Sequence, residues 1–243
     1  MTVTEQTPSL AAFRLHLRLL VTRPRMAALG LLGLIAILVG VGLRFGSEID
    51  PARDTYDALL STYCLSVLAP VTSLVFASAV FGDLVEDGTL VYLWLKPVAR
   101  WRLVLAGYLA ACVIALPVTV FPATVAAAIT GTGSGLAAGA AISSAAATLA
   151  YCAIFLWIGL LVRRALVWGL AYVLIWEHAV AHNARGAARL AVFGYSQSLL
   201  ARVADRAPPK FGVGWITAVV VLTVIVALSL ALAGRLLSRA EVP

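Results

Sequence analysis

The chain is poor in the residues that ionise and react. Its 243 residues include 11 Asp and Glu, three His and three Cys, and only 12% are charged, against about 25% in an average soluble domain. Paired carboxylates in a Gly- or Ser-lined pocket, as used by lipid transferases, are absent. Cys64, Cys112 and Cys152 all fall within apolar runs and are not spaced as a metal site or a disulfide framework, so they read as small helix-packing residues. Gly131-Thr132-Gly133-Ser134-Gly135 is glycine-rich, but Leu136 stands where a phosphate-binding loop needs Lys. That stretch reads as a tight turn, and the chain carries no nucleotide-binding domain of its own. Glu177-His178-Ala179-Val180-Ala181-His182 places two histidines four apart, without the H-E-x-x-H order of a zinc protease. Two readings of it stay open: polar residues where an apolar run meets the interface, or a metal or substrate contact.

What the chain has is hydrocarbon. Hydrophobic residues make up 62% and mean hydropathy is +1.00. Apolar runs of about 18 residues or more mark membrane helices, and six are present, at about 26–44, 58–82, 102–130, 136–162, 165–182 and 214–236. The expected fold is an all-α membrane protein. Residues 1–25 form a cytoplasmic interfacial segment and 26–243 a six-span domain. Before the last span, 183–213 is an extracellular or re-entrant segment. Within it, Ala187–Phe193 and Ser196–Val203 are apolar enough for short helices dipping into the outer leaflet.

The first 25 residues lack the small-residue cleavage site of a secretory signal. Leu10, Phe13, Leu17, Leu20 and Val21 recur instead at helical spacing, behind Pro8 and a candidate cap, Ser9. A basic helix lying in the membrane interface is expected over 9–22. With the N-terminus inside, the inner segments collect Arg14, Arg18, Arg23, Arg25, Lys96, Arg100, Arg102, Arg163, Arg164, Arg235 and Arg239. Those are eleven of the 18 Lys and Arg. Five of the remaining seven lie in the long loop, which the positive-inside rule weights less. Both termini are therefore expected in the cytoplasm of a multi-pass cell-membrane protein. The net charge of +7 is spread over span ends, without the aromatic-interleaved basic stripe of a nucleic-acid binder. It fits topology and anionic lipid headgroups, and no nucleic-acid partner is expected.

The densest acidic cluster lies between the second and third runs: Phe81-Gly82-Asp83-Leu84-Val85-Glu86-Asp87-Gly88-Thr89-Leu90. Asp83, Glu86 and Asp87 require water. The apolar residues that follow, Leu90, Tyr92, Leu93, Trp94 and Leu95, are stopped by Pro97 and Arg100 before they could cross a bilayer. A short apolar helix at a membrane surface is suited to docking a soluble partner. Leu90, Leu93 and Trp94 share a face, Gly88 can end the preceding helix, and Thr89 can cap the short one. Glu86 and Asp87 can accept charge-assisted hydrogen bonds.

The pattern Glu86-x-Gly88-Thr89-Leu90, then Leu93 and Leu95, Pro97-Val98-x-Arg100, and Leu105-x-Gly107 leading into a new span resembles the membrane (permease) subunits of type 2 ABC transporters. Ala99 stands where that family usually has Ser, and Tyr108 where a Lys commonly follows the glycine. The motif covers about 25 residues, and the plan of basic helix, six spans and long outer segment agrees with it. The resemblance implies that 83–100 is a coupling helix resting on a separate ATPase subunit. Two copies of that subunit would hold the ATP and Mg, with no cofactor and no catalytic residue on this chain. It also implies pairing with a second membrane subunit, as homodimer or related heterodimer. The second and fifth spans would then place Ser66, Thr72, Ser73, Trp168 and Tyr172 along a pathway, with Glu177 and His178 near its outer end. Pro70, Pro117 and Pro122 interrupt spans as bending points or static kinks. The apolar, Ser- and Thr-dotted interior points to export of a hydrophobic or amphipathic compound, although small residues also serve helix packing. A membrane-embedded enzyme, and a non-transporting anchor or sensor recruiting a cytoplasmic partner, are the alternatives.

In a version free of Cys64, Cys112 and Cys152, an impermeant thiol reagent applied to intact cells is expected to label a cysteine at Gly133 and not one at Glu86. The reverse pattern overturns the orientation.

Overall fold

The computed structural model describes residues 8–46, 54–86, 99–130, 134–162, 164–175, 191–206 and 213–239, all helices and short joints with no strand among them. In chain order these are α1 (Pro8–Leu20) and α2 (Arg23–Phe45), then a π-helical segment (Thr55–Leu68) running directly into α3 (Ala69–Glu86). There follow α4 (Arg100–Ile129), α5 (Ser134–Leu161), α6 (Ala165–Ala171), α7 (Val192–Val203) and α8 (Trp215–Arg239). Among the described residues, five helical stretches are long and apolar enough to cross a membrane: Arg23–Phe45, Asp57–Leu84, Arg100–Ile129, Gly135–Leu161 and Trp215–Ser238. They coincide with five of the six expected runs. The fifth run is described only as the shorter apolar helix Ala165–Ile175, and 176–182 lies outside the described residues.

The second span is the axis of the bundle. Its window is 83% buried, against 22% for the first and last spans. It packs most extensively on α5, and α5 in turn on α4. Hydrophobicity does not drive helices together in lipid, so close backbone approach at small residues has to. The glycines supply it. A Cβ on Gly159 of α5 would stand 2.8 Å from the Ser78 carbonyl oxygen of α3. One on Gly40 of α2 would stand 2.9 Å from the Ala126 carbonyl oxygen of α4. Leu29, Gly33, Ala36 and Gly40 form the buried stripe of α2, while Leu31, Leu34, Leu38 and Phe45 point outward.

Hydroxyls stitch the middle of the bundle. Thr119 of α4 and Thr148 of α5 hydrogen-bond at 2.9 Å, Ser73 of α3 donates to the Thr148 carbonyl, and the Tyr108 hydroxyl of α4 donates to the Leu149 carbonyl. Ser78, Ser143, Ser144 and Ser196 each donate to the carbonyl one helical turn back, which removes an unsatisfied donor from an apolar interior.

Several expectations are adjusted. The interfacial helix opens at Pro8, so Ser9 is its second residue rather than its cap, and it ends at Leu20 with a two-residue joint before Arg23. Pro117 and Pro122 lie inside the continuous α4. Pro70 sits just past the π segment, whose final backbone bond reaches from Ala69 back five residues to Cys64. The stretch expected as two short outer helices contains one helix, α7, unbroken across Gly194–Tyr195, while 183–190 lies outside the described residues. A Cβ on Gly135 would meet Val203, and one on Gly139 would meet Leu200. Thus α7 runs antiparallel to α5 from the rim at Val203 toward the middle of the bundle, where Ala191 and Val192 are buried. Gln197 of α7 donates to Ser61 of the π segment at 2.8 Å.

Gly159→Val is expected to lower the detergent-solubilised thermal midpoint, because overpacking against backbone costs about 1–3 kcal/mol. Gly30→Ala, where nothing lies within 4 Å, is expected to be neutral or slightly stabilising. Equal midpoints for the two variants would refute the close-approach account of this packing.

Candidate functional site

Of the acidic and aromatic segment, Asp87, Gly88, Thr89, Leu90, Leu93, Trp94 and Pro97 lie outside the described residues, and Glu86 is described only by its backbone, as the last residue of α3. The structure does define both borders of this segment, and they share one end of the bundle.

On the leading border, Asp83 in the last turn of α3 accepts a hydrogen bond from Arg25 at 2.9 Å. It is the one salt bridge among the described residues. Arg25 belongs to the first turn of α2, so the pair joins the start of the first span to the end of the second, which runs antiparallel to it. Five residues before the end of α3, Phe81 is fully buried and meets the His16 ring of α1 edge-on at 5.6 Å between centroids. His16 and Leu20 are buried, and Phe13 and Leu17 pack against the same core, so one face of α1 is seated on the bundle. Most of that face rests on α4 and the rest on α3.

On the trailing border, Arg100 opens α4 and one of its Nη atoms donates to the carbonyls of Leu237 and Ser238 at 2.8 Å each. These carbonyls belong to the last turn of α8 and have no helical donor of their own. A cation there also opposes the negative end of the helix dipole. The next residue, Trp101, is exposed and the Arg102 guanidinium lies 5.4 Å from its ring centroid. That pairing suits the headgroup level, where amphipathic aromatics gather. Arg25, Asp83, Arg100, Arg102 and the end of α8 therefore form one charged rim. At the opposite end, Arg44 donates to the Ile129 carbonyl.

The second group of expected residues does not gather on one surface. Ser66, Thr72 and Ser73 are buried inside the bundle, and Ser73 is occupied by Thr148. Thr72 Oγ1 is fully buried with no hydrogen-bond partner among the described residues. Trp168 is exposed together with Val167, Leu170, Leu174 and Ile175. Tyr172 is half-buried and meets Phe155 edge-on at 6.1 Å, and Phe155 stacks with Tyr151 at 5.9 Å. Glu177, His178 and His182 lie outside the described residues. Among the described residues no group of three or more His, Cys, Asp or Glu is placed to hold a metal. Cys64, Cys112 and Cys152 are buried and unbridged.

Two residues of the charged rim escape sequence reasoning as partners. Arg25 and Asp83 have opposite charge at the same end of adjacent antiparallel spans, a placement that would have paired them. His16 falls on the same helical face as Phe13, Leu17 and Leu20, which marks it as buried. No protein-family model and no curated protein matches the chain.

Arg100→Ala is expected to leave the two terminal carbonyls of α8 to water and to fray its last turn. A hydrogen bond to a charged group contributes about 1.5 kcal/mol, so amide exchange at 235–239 is expected to quicken about tenfold. Unaltered exchange there would remove the capping role.

Proposed function

We propose that the chain is the membrane subunit of an ATP-driven ABC transporter that exports a hydrophobic or amphipathic compound. The observation that carries this reading is the run from Glu86 to Gly107, which links two packed spans at the basic rim. Its Gly88-Thr89-Leu90 and Pro97-Val98-Ala99-Arg100 stand where such subunits hold a coupling helix. Positive-inside topology puts that rim, both termini and the 83–100 segment in the cytoplasm. An ATPase subunit rests there, and ATP and Mg belong to it rather than to this chain.

The arrangement of the borders suits force transmission. A push on 83–100 enters α3 at Glu86 and α4 at Arg100. The first is the central helix, so its displacement is felt by α5 and α4, with which it shares most of its surface. The second is tied to the end of α8 through the terminal carbonyls. Leu90, Leu93 and Trp94 fill a groove on the ATPase, and Glu86 and Asp87 meet its basic groups.

Pairing with a second membrane subunit supplies the rest of the pathway. Trp168, Val167, Leu170 and Leu174 present an apolar face on the helix that follows α5, and Gly169 on its other side is pressed against Leu74 of α3. Movement of α3 would carry that face with it. Ser66, Thr72 and Ser73 are then reached by cargo through separation of α3 from its neighbours, and Trp168 and Tyr172 through the face between subunits.

The test is co-expression with a candidate ATPase subunit. Glu86→Lys with Trp94→Ala is expected to lower recovery of the ATPase at least tenfold, since truncating a buried aromatic anchor commonly costs about 2 kcal/mol or more, and to abolish cargo-stimulated ATP hydrolysis. The thermal midpoint of the membrane chain itself is expected to hold. Unchanged recovery and unchanged hydrolysis in the double variant would refute the coupling assignment.

A further inference from the structure

Around the axis of α1 three stripes follow one another. Phe13, His16, Leu17 and Leu20 face the bundle. Arg14 and Arg18, one turn apart, are exposed. Leu15 and Leu19, also one turn apart, are exposed at 41% and 49%. The helix contains no acidic residue, and neither Arg14, Arg18 nor the exposed Arg23 at the start of α2 has an ion-pair partner among the described residues. Two residues after α1 ends, the chain enters a span, so this face can only lie at the membrane surface. An arginine stripe beside a leucine stripe is the pattern that places guanidinium groups among headgroups and side chains among acyl chains. Three positive charges without an ion-pair partner among the described residues make the complementary surface an anionic one.

The seated side of α1 has a consequence. It grips the end of α3 twice, through His16 against Phe81 and, by way of the joint, through Arg25 to Asp83. Anything that fixes α1 at the surface also fixes the last turns of the second span.

We propose that the outward face of α1 is a binding surface for anionic phospholipid headgroups, with Arg14, Arg18 and Arg23 as ligands and Leu15 and Leu19 as the acyl contact, and that lipid binding there steadies the end of the second span through Arg25–Asp83. The significance of that steadying for transport rests on the coupling role assigned to 83–100. The lipid site itself does not, and it is tested without any ATPase.

The full chain is purified in a zwitterionic detergent, and retention of phosphatidylglycerol against phosphatidylcholine of the same acyl chains is read by native mass spectrometry. The wild type is expected to prefer the anionic lipid. Arg14→Gln, Arg18→Gln and Arg23→Gln are each expected to lower the preference about fivefold, the factor that corresponds to one basic residue at an anionic surface. The Lys replacements are expected to keep it. Loss of the preference on adding millimolar inorganic phosphate would instead mark a soluble-anion site, and an acidic peptide bound in place of lipid would mark a protein-docking face. Either overturns the lipid assignment, as does a preference unchanged in all three Gln variants. For the relay, phosphatidylglycerol is expected to slow amide exchange over 76–86 at least threefold in the wild type and not in Asp83→Asn, which keeps lipid binding because Asp83 is not part of the outward face. Equal slowing in Asp83→Asn refutes the relay and leaves the binding surface standing.

Discussion

In hydrocarbon nothing pulls one apolar helix onto another except contact itself, and this bundle is arranged so that contact is closest around the second span. Gly159 lets α5 reach the Ser78 carbonyl, Gly107 admits Val80 and Phe81, and Gly169 admits Leu74. All three approaches fall on α3, from α5, α4 and α6 respectively. Dispersion between atoms at 3.5–4.0 Å is small per pair, and only a helix embraced from several sides accumulates enough of it. The first and last spans lack that embrace. Their large side chains, from Leu31 and Leu38 to Val220 and Leu228, face outward, which is what lipid-facing helices require.

Such packing leaves little place for charge, and the described charges obey. At span ends, three of them serve a backbone or a partner helix: Arg100 on the end of α8, Arg44 on the end of α4, Arg25 on Asp83. Near a surface an isolated ion pair contributes little to stability. The weight of the Arg25–Asp83 pair is in geometry. It fixes where the most buried helix ends relative to the helix that begins at the surface. The hydroxyls of the interior are mostly spent on carbonyls one turn back, which keeps them from demanding partners across the bundle. Thr72 Oγ1 is buried without a hydrogen-bond partner among the described residues. A buried hydroxyl without a partner normally calls for explanation, and here it lies just past the π segment, where Pro70 has already removed one backbone donor.

Hydropathy carries far in a chain like this because a span needs only length and apolarity. The runs at 26–44, 58–82, 102–130, 136–162 and 214–236 each correspond to a continuous helical stretch, with ends shifted by at most four residues in either direction. Two extensions have local features: Arg23 and Pro24 suit a helix start, and Asp83 near the end of the second span is paired with Arg25. Hydropathy could not reveal the widened register of Thr55–Leu68. The composition of that stretch is as compatible with an α-helix, and the register depends on what packs around it. Nor could it show that Val192–Val203 is one helix lying within the bundle. Gly194 reads as a breaker in sequence, but Val192, Phe193, Tyr195, Ser196 and Leu199 are all buried, and tertiary contact outweighs the roughly 1 kcal/mol that a glycine costs. Of the candidate residues, Ser66, Thr72 and Ser73 lie in the second spanning stretch, but which way each side chain faces was not legible. Ser73 and Trp168 both lie in apolar runs, and only neighbours decide that one is enclosed and the other exposed.

These features constrain how such a chain could work. A bundle held by close contact has few intermediate arrangements, because packed interfaces shift between discrete fits rather than deforming smoothly. Movement must then be imposed where two spans can be gripped together. The described structure offers one such place, the rim where Arg25, Asp83 and Arg100 tie α2, α3, α4 and α8, with α1 clasped beneath. The segment between Asp83 and Arg100 joins the end of the central span to the start of α4. A displacement there passes along α3 to Leu74 and so to Gly169, at the base of the exposed Trp168 face. α3 is thereby in contact with a helix whose outward side carries the exposed Val167, Trp168 and Leu170.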